Sequence, residues 1–196
     1  MEHRKWKMKD FLAESLELLM QEKPFDKITI KQICDRAGVI RATFYNHFED
    51  KYAALNYISG ELLHESQKVF LPSGDIVHVI LSLCETIFDH RVFFVRAFQV
   101  QGQNDFDQMF VNHIAQLIEE LLIVVRNDES ETSLYSNQAL SLYFANAFMF
   151  LCKQWLKEGC RYTPQEFASY SSGLLLHGLK DYLGENDRKN KQEVME

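Results

Sequence analysis

The chain has 196 residues, 46% of them hydrophobic, with eight Gly and three Pro. That length and apolar share support a packed core and exclude a largely disordered chain, and the scarcity of Gly and Pro excludes a turn-rich all-β fold. The formal net charge of −7 argues against nucleic-acid binding by bulk charge, but residues 1–56 hold 10 Lys/Arg against 9 Asp/Glu while the remainder holds 11 against 19. An acidic body behind a less acidic head fits a protein that meets phosphate at one end only.

Apolar periodicity predicts a first helix from about Arg4 to Glu22, with Met8, Leu12, Leu16 and Leu19 on one stripe and Phe11, Ser15 and Leu18 beside it. Pro24 ends it. Thr29-Ile30-Lys31-Gln32 is a capping-box pattern that opens a second helix, whose buried face is Ile30, Ile33, Cys34 and Ala37. Gly38 stops that helix by supplying a left-handed backbone position. A short third helix is expected from about Arg41 to Phe48, with Phe44 and Phe48 inward and Val39 plugging the corner. Glu49-Asp50 opens a fourth, which carries Tyr52, Leu55, Ile58 and Leu62 and ends before Pro72. Helical periodicity then covers about 75–90, 92–100, 104–126, 134–158 and 165–183, with breaks at Gly102, 127–132, Gly159 and Gly184.

The expected fold is therefore all-α. Residues 1–50 form a three-helix head, 51–184 a helical body, and 185–196 a polar, disordered tail.

Cys34, Cys84, Cys152 and Cys160 form no C-x-x-C pair and read as reduced thiols. The N-terminus lacks an apolar signal region, and no stretch approaches 18 apolar residues. A cytoplasmic location and no membrane partner are expected. His64, His78, His90 and His113 are scattered, without an i, i+4 pair, and no Gly-rich phosphate loop or nucleophile motif occurs. No metal, cofactor or catalytic residue is expected, so the chain reads as a non-enzyme.

Two short helices joined at Ala37-Gly38-Val39 make a helix-turn-helix pattern. With Phe44 and Phe48 holding the third helix, Arg41, Ala42, Thr43, Tyr45 and Asn46 are left near or on its outward face. Arg41 has the donor fork that suits a guanine edge, and Ala42 and Thr43 permit close approach to a thymine methyl.

The run Thr29, Ile33-Cys34, Ala37-Gly38-Val39-Ile40, Thr43-Phe44-Tyr45-Asn46-His47-Phe48 and Lys51 resembles the TetR family of transcriptional regulators. Ile40 departs from the family's usual Ser and removes a side-chain N-cap, Asn46 stands where aromatic or basic residues are frequent, Pro24 replaces a usual Gly, and Glu14-Ser15 a common Ala pair. The resemblance implies a ligand-responsive DNA-binding regulator, a repressor by family default, that binds a palindromic operator as a homodimer. It assigns Lys31, Tyr45, His47 and Lys51 to phosphate contacts, which set register, while Arg41 and its neighbours set sequence.

The resemblance also implies a small-molecule effector in the aromatic-rich body, with Phe88, Phe94, Phe98, Phe110, His113 and Phe148 as candidate ligand contacts. A largely apolar pocket favours a lipophilic or aromatic ligand. Core packing is the competing reading for each of these side chains. The last two helices are expected to pair with those of a second copy through Phe167, Tyr170, Ser171, Leu174 and Gly178, with Gly173 and Gly178 allowing close helix contact. An intramolecular hairpin core is the alternative for that stripe. For the whole chain the alternative is a helical protein-interaction module that has lost DNA binding.

Overall fold

The computed structural model describes residues 7–65, 76–101, 105–126 and 136–175, and among them every regular element is helical. Helix α1 spans Met8–Glu22, a 3₁₀ turn Phe25–Lys27, α2 Ile30–Ala37, α3 Arg41–Tyr45 and α4 Lys51–Glu65. They are followed by α5 (Ile76–Asp89), α6 (Arg91–Ala97), α7 (Phe106–Arg126), α8 (Asn137–Lys157) and α9 (164–175). The expected breaks at Gly102, 127–132 and Gly184, and the tail 185–196, lie outside the described residues.

The head is set by local chemistry. Thr29 Oγ1 accepts from the Gln32 backbone N–H at 3.3 Å, and Gln32 Oε1 accepts from the Thr29 N–H at 3.0 Å, which is the expected capping box. Gly38 sits at φ +69° and closes α2, with the Val39 N–H donating to the Cys34 carbonyl at 2.9 Å. The buried stripe of α1 is Leu12, Ala13, Ser15, Leu16, Leu19 and Met20, whereas Met8, Phe11 and Leu18 are exposed. The seam therefore lies slightly around the helix from the expected one.

One apolar cluster runs from Leu12, Ile33 and Phe44 in the head to Phe94, Phe110 and Trp155 in the body. Helix α4 carries much of this continuity, since it packs on α1, α5 and α7. Its Tyr57 hydroxyl donates to Asp10 Oδ1 of α1 at 2.7 Å. On its other side, a Cβ added at Gly60 would lie 2.8 Å from His113 Cε1 of α7, and His113 Nε2 is 2.9 Å from Asn56 Oδ1. Only a glycine lets the imidazole lie this close to the α4 backbone.

The body is built on the long α7–α8 pair. Trp155 of α8 stacks on Phe167 of α9, with centroids 4.2 Å apart and 9° between planes, and its indole N–H donates to the Tyr162 carbonyl at 2.9 Å. Gly159 (φ +71°) and Cys160 (φ +55°) turn the chain between these helices. Thr163 and Glu166 also form a capping box at the start of α9. Those bonds also hold the Glu166 carboxyl below its ordinary range.

A second head–body tie joins Glu17 Oε1 of α1 to His90 Nδ1, between α5 and α6, at 2.6 Å. The Glu17 hydrogen bond raises the His90 pKa, while burial lowers that of His113. His90 thus binds its proton more tightly in the folded state. Its stabilisation is present below the ordinary histidine pKa of about 6.5 and is lost as pH rises through the raised folded value. His113 has the opposite sign, so its share of stability grows as pH climbs from its lowered folded pKa to about 6.5. Thermal midpoints measured against pH are expected to fall less above about pH 6.5 in His90→Gln, and to rise less below it in His113→Asn, than in the wild type. Unchanged limbs in both variants would contradict these assignments.

Candidate nucleic-acid interface

Helix α3 has five residues and no side-chain N-cap at Ile40. A helix this short does not persist alone in water. Phe44 is fully buried and Phe48 nearly so, their rings 5.7 Å apart, and Phe48 also lies 5.6 Å from the Tyr57 ring of α4. The helix stops at Tyr45, not at Phe48 as expected, because the Phe44 carbonyl accepts from both the His47 and Phe48 N–H groups at 2.9 Å and tightens the last turn.

Seating Phe44 fixes what is left outside. Arg41, Ala42, Tyr45, Asn46 and His47 are exposed, Thr43 is half-exposed, and Lys31 is exposed on the first turn of α2. Tyr45 is 57% and Ile40 72% exposed, which is unusual for residues of this size and polarity. Ile40 enters the sequence reading only as a lost cap. Its position beside Arg41 adds an apolar side chain to the same outward surface.

Lys51 does not match its expected place at a phosphate. Its Nζ donates to the carbonyls of Phe25 and Ile28, each at 3.0 Å, with the Asp26 carbonyl at 3.5 Å, and it lies 4.5 Å from the Phe25 ring centroid. Burial lowers its pKa. The ammonium satisfies carbonyls at the end of the 3₁₀ turn, so it staples α4 to the segment before α2. Arg36 is likewise engaged, its Nη2 donating to Glu22 Oε1 of α1 at 2.5 Å.

The candidate ligand residues fall into two groups. Phe94, Phe110 and Phe148 are buried and Phe98 is half-buried, and their rings pack on one another with centroids 5.2–6.5 Å apart. Phe88 lies 6.0 Å from Trp155. These rings are part of the core. His113 is apart from them, in the α4–α7 seam.

The dimer stripe also divides. Phe167 and Ser171 turn into their own chain, Phe167 against Trp155 and the Ser171 hydroxyl onto the Ala168 carbonyl at 3.2 Å. This corrects their assignment to an outer face, and for them the intramolecular alternative holds. Tyr170 and Leu174 stay exposed, as do Tyr143 and Phe150 on α8. Nothing lies within 4 Å of a Cβ placed at Gly173, so no close helix contact among the described residues explains that glycine. Gly178 lies outside the described residues.

The family models match the two parts of this architecture. Residues 12–58 match the one described as bacterial regulatory proteins, tetR family, and residues 75–177 match the one described as transcriptional regulator C-terminal region, which alone spans more than half of the chain. The chain belongs to the TetR family. That family is one of DNA-binding transcriptional regulators, not a class of enzymes.

Solved TetR-like structures share the fold. Thermus thermophilus FadR, a TetR-family repressor in complex with lauroyl-CoA, superposes with a TM-score of 0.67 at 19% identity, over 87% of this chain and 94% of that one. NalD of Pseudomonas aeruginosa, the secondary repressor of the MexAB-OprM efflux pump, gives 0.59 at 18% identity over 88% and 96%. The dihydroxyacetone kinase operon activator DhaS gives 0.62 at 19% identity over 87% and 94%. No curated protein matches the chain by sequence. Among the described residues no helix is long and apolar enough to cross a membrane, and no three His, Cys, Asp or Glu side chains gather to hold a metal ion.

The staple at Lys51 leads to a stability test within this TetR head. Lys51→Met is expected to cost about 2 kcal/mol in denaturant unfolding, because it strips a charged donor from buried carbonyls. Lys31→Ala, at an exposed site, is expected to stay within about 0.5 kcal/mol of wild type. Equal stability of the two variants would contradict the staple.

Proposed function

We propose that the protein is a ligand-responsive transcriptional repressor that binds a palindromic DNA operator as a homodimer. The observation that carries the reading is the outward row around α3, where Lys31, Arg41, Tyr45, Asn46 and His47 are exposed together on a head of the TetR family. In this reading Lys31, Tyr45 and His47 hold phosphates and set register, and Arg41 reads a guanine edge. Ala42, Thr43 and Ile40 offer methyl-sized contacts to thymine, and Asn46 supplies a polar contact at the end of the helix. Lys51 acts from within, by fixing α4 against the head.

The homodimer is supported by Tyr143, Phe150, Tyr170 and Leu174, large apolar side chains left exposed on α8 and α9. A two-fold pair of α8–α9 faces would cover them and set two copies of α3 about one DNA turn apart, roughly 34 Å. A lipophilic effector is supported by the phenylalanine-rich core, which would open around an apolar ligand, and by the lauroyl-CoA bound to the Thermus FadR neighbour. Repression is favoured by FadR and NalD, both named as repressors, over the activator DhaS. A cytoplasmic site of action follows from this role.

The test is binding of operator-sized duplexes at several salt concentrations. Affinity is expected to fall steeply with salt, in proportion to the phosphates neutralised. Lys31→Ala and Tyr45→Ala are expected to weaken all duplexes alike, whereas Arg41→Ala lowers discrimination at one base pair by about 1–3 kcal/mol. Full affinity in the triple Lys31→Ala/Tyr45→Ala/His47→Ala variant would overturn the docking face.

A further inference from the structure

A cleft of about 380 Å³ opens between the first half of α4 and the first half of α7, with no phenylalanine in its lining. Both of its walls mix apolar and polar groups. Tyr52 and Met109 supply an aromatic and a thioether surface. Glu49 and Asp50 put two carboxylates at the start of α4, and Asn56, Asn112 and Gln116 add amide groups along the seam.

No Lys or Arg is among the lining residues, and Lys51 on the same helix is bound to the carbonyls of Phe25 and Ile28. His113, the remaining polar lining group, is held toward its neutral form by burial. Asp50 uses Oδ1 to cap the Ala53 N–H at 2.7 Å, which holds that carboxylate at the mouth of the cleft.

We propose that this cleft binds a small organic cation, an aromatic ring bearing a protonated amine, with the ring on Tyr52 and Met109 and the ammonium toward Glu49 and Asp50. The volume suits a ligand of about a dozen non-hydrogen atoms, at the low end of the usual range for small-molecule sites. The polarity excludes anions, which would meet two carboxylates without a counter-charge, and offers neutral ligands no such pairing. Tyr52 and Met109 offer two surfaces that attract such a ligand, an aromatic face and a thioether. The cleft is lined by none of the core phenylalanines, and its occupant would touch α4 and α7 together. A ligand that bridges these helices biases the angle between head and body by as much as it binds one arrangement better than the other.

The experiment is calorimetric titration of the full chain with three compounds that share an indole and a two-carbon arm: tryptamine, tryptophol and indole-3-acetate. DNA is absent from this measurement, so its outcome does not depend on operator binding. Tryptamine is expected to bind with at least a tenfold preference over tryptophol, and indole-3-acetate not to bind. Glu49→Gln is expected to weaken tryptamine several-fold. Asn112→Lys, at an exposed position where the fold tolerates change, is expected to abolish binding by placing a cation in the cleft while leaving the circular dichroism melt in place. Equal binding of the three compounds, unaltered tryptamine binding by Asn112→Lys, or no tryptamine binding at millimolar concentration would each overturn the proposal.

Discussion

The outward face of the head depends on the seating of one ring, Phe44. Helix α3 is too short and too poorly capped to hold its own shape, so burial of Phe44 and Phe48 replaces the missing helical stability. Arg41, Ala42, Tyr45, Asn46 and His47 face water because Phe44 faces the core. A hydrophobic contact thereby sets the position of the solvent-facing side chains around it. This also explains how the head dispenses with a side-chain cap at Ile40: such a cap is worth about 1 kcal/mol, less than the burial of a phenylalanine ring.

The second constraint is that α4 belongs to both halves of the molecule. At its start, Lys51 and Asp50 tie it to the head and cap its first turn. In its middle, Tyr57 reaches Asp10 on one side while Asn56 and Gly60 meet His113 on the other. The Glu17–His90 pair adds a tie between α1 and the α5–α6 corner. A displacement of α7 against α4 would therefore be felt at the base of α3, through contacts that are polar and close-fitting rather than loose. Such contacts have discrete arrangements, which is what a switching element requires.

Much of this was legible in the sequence where the signal was local. Thr29 with Gln32, Gly38, and the inward pair Phe44 and Phe48 each declare their role within a few residues. The same logic would have found the box at Thr163 and Glu166 and the start of α9 beside Pro164. Lys51 was not legible, because a lysine stem reaches outward or inward with equal ease and its acceptors lie more than twenty residues earlier. Phe167 and Tyr170 share one helical stripe in the sequence. Which of them is covered depends on Trp155 arriving from α8, and helical period alone carries no such information. For the aromatic residues of the body, packing against each other and packing around a ligand leave the same sequence pattern.

The central claim is that α3, seated by Phe44, presents a DNA-reading surface, and that two copies present it with two-fold symmetry. The most direct test is selection of bound duplexes from a random pool by the purified full chain, followed by sequencing. The account predicts recovery of a palindrome whose half-sites are centred about one helical turn, roughly 34 Å, apart. Recovery of no enriched sequence, or of a motif without two-fold symmetry, would contradict it.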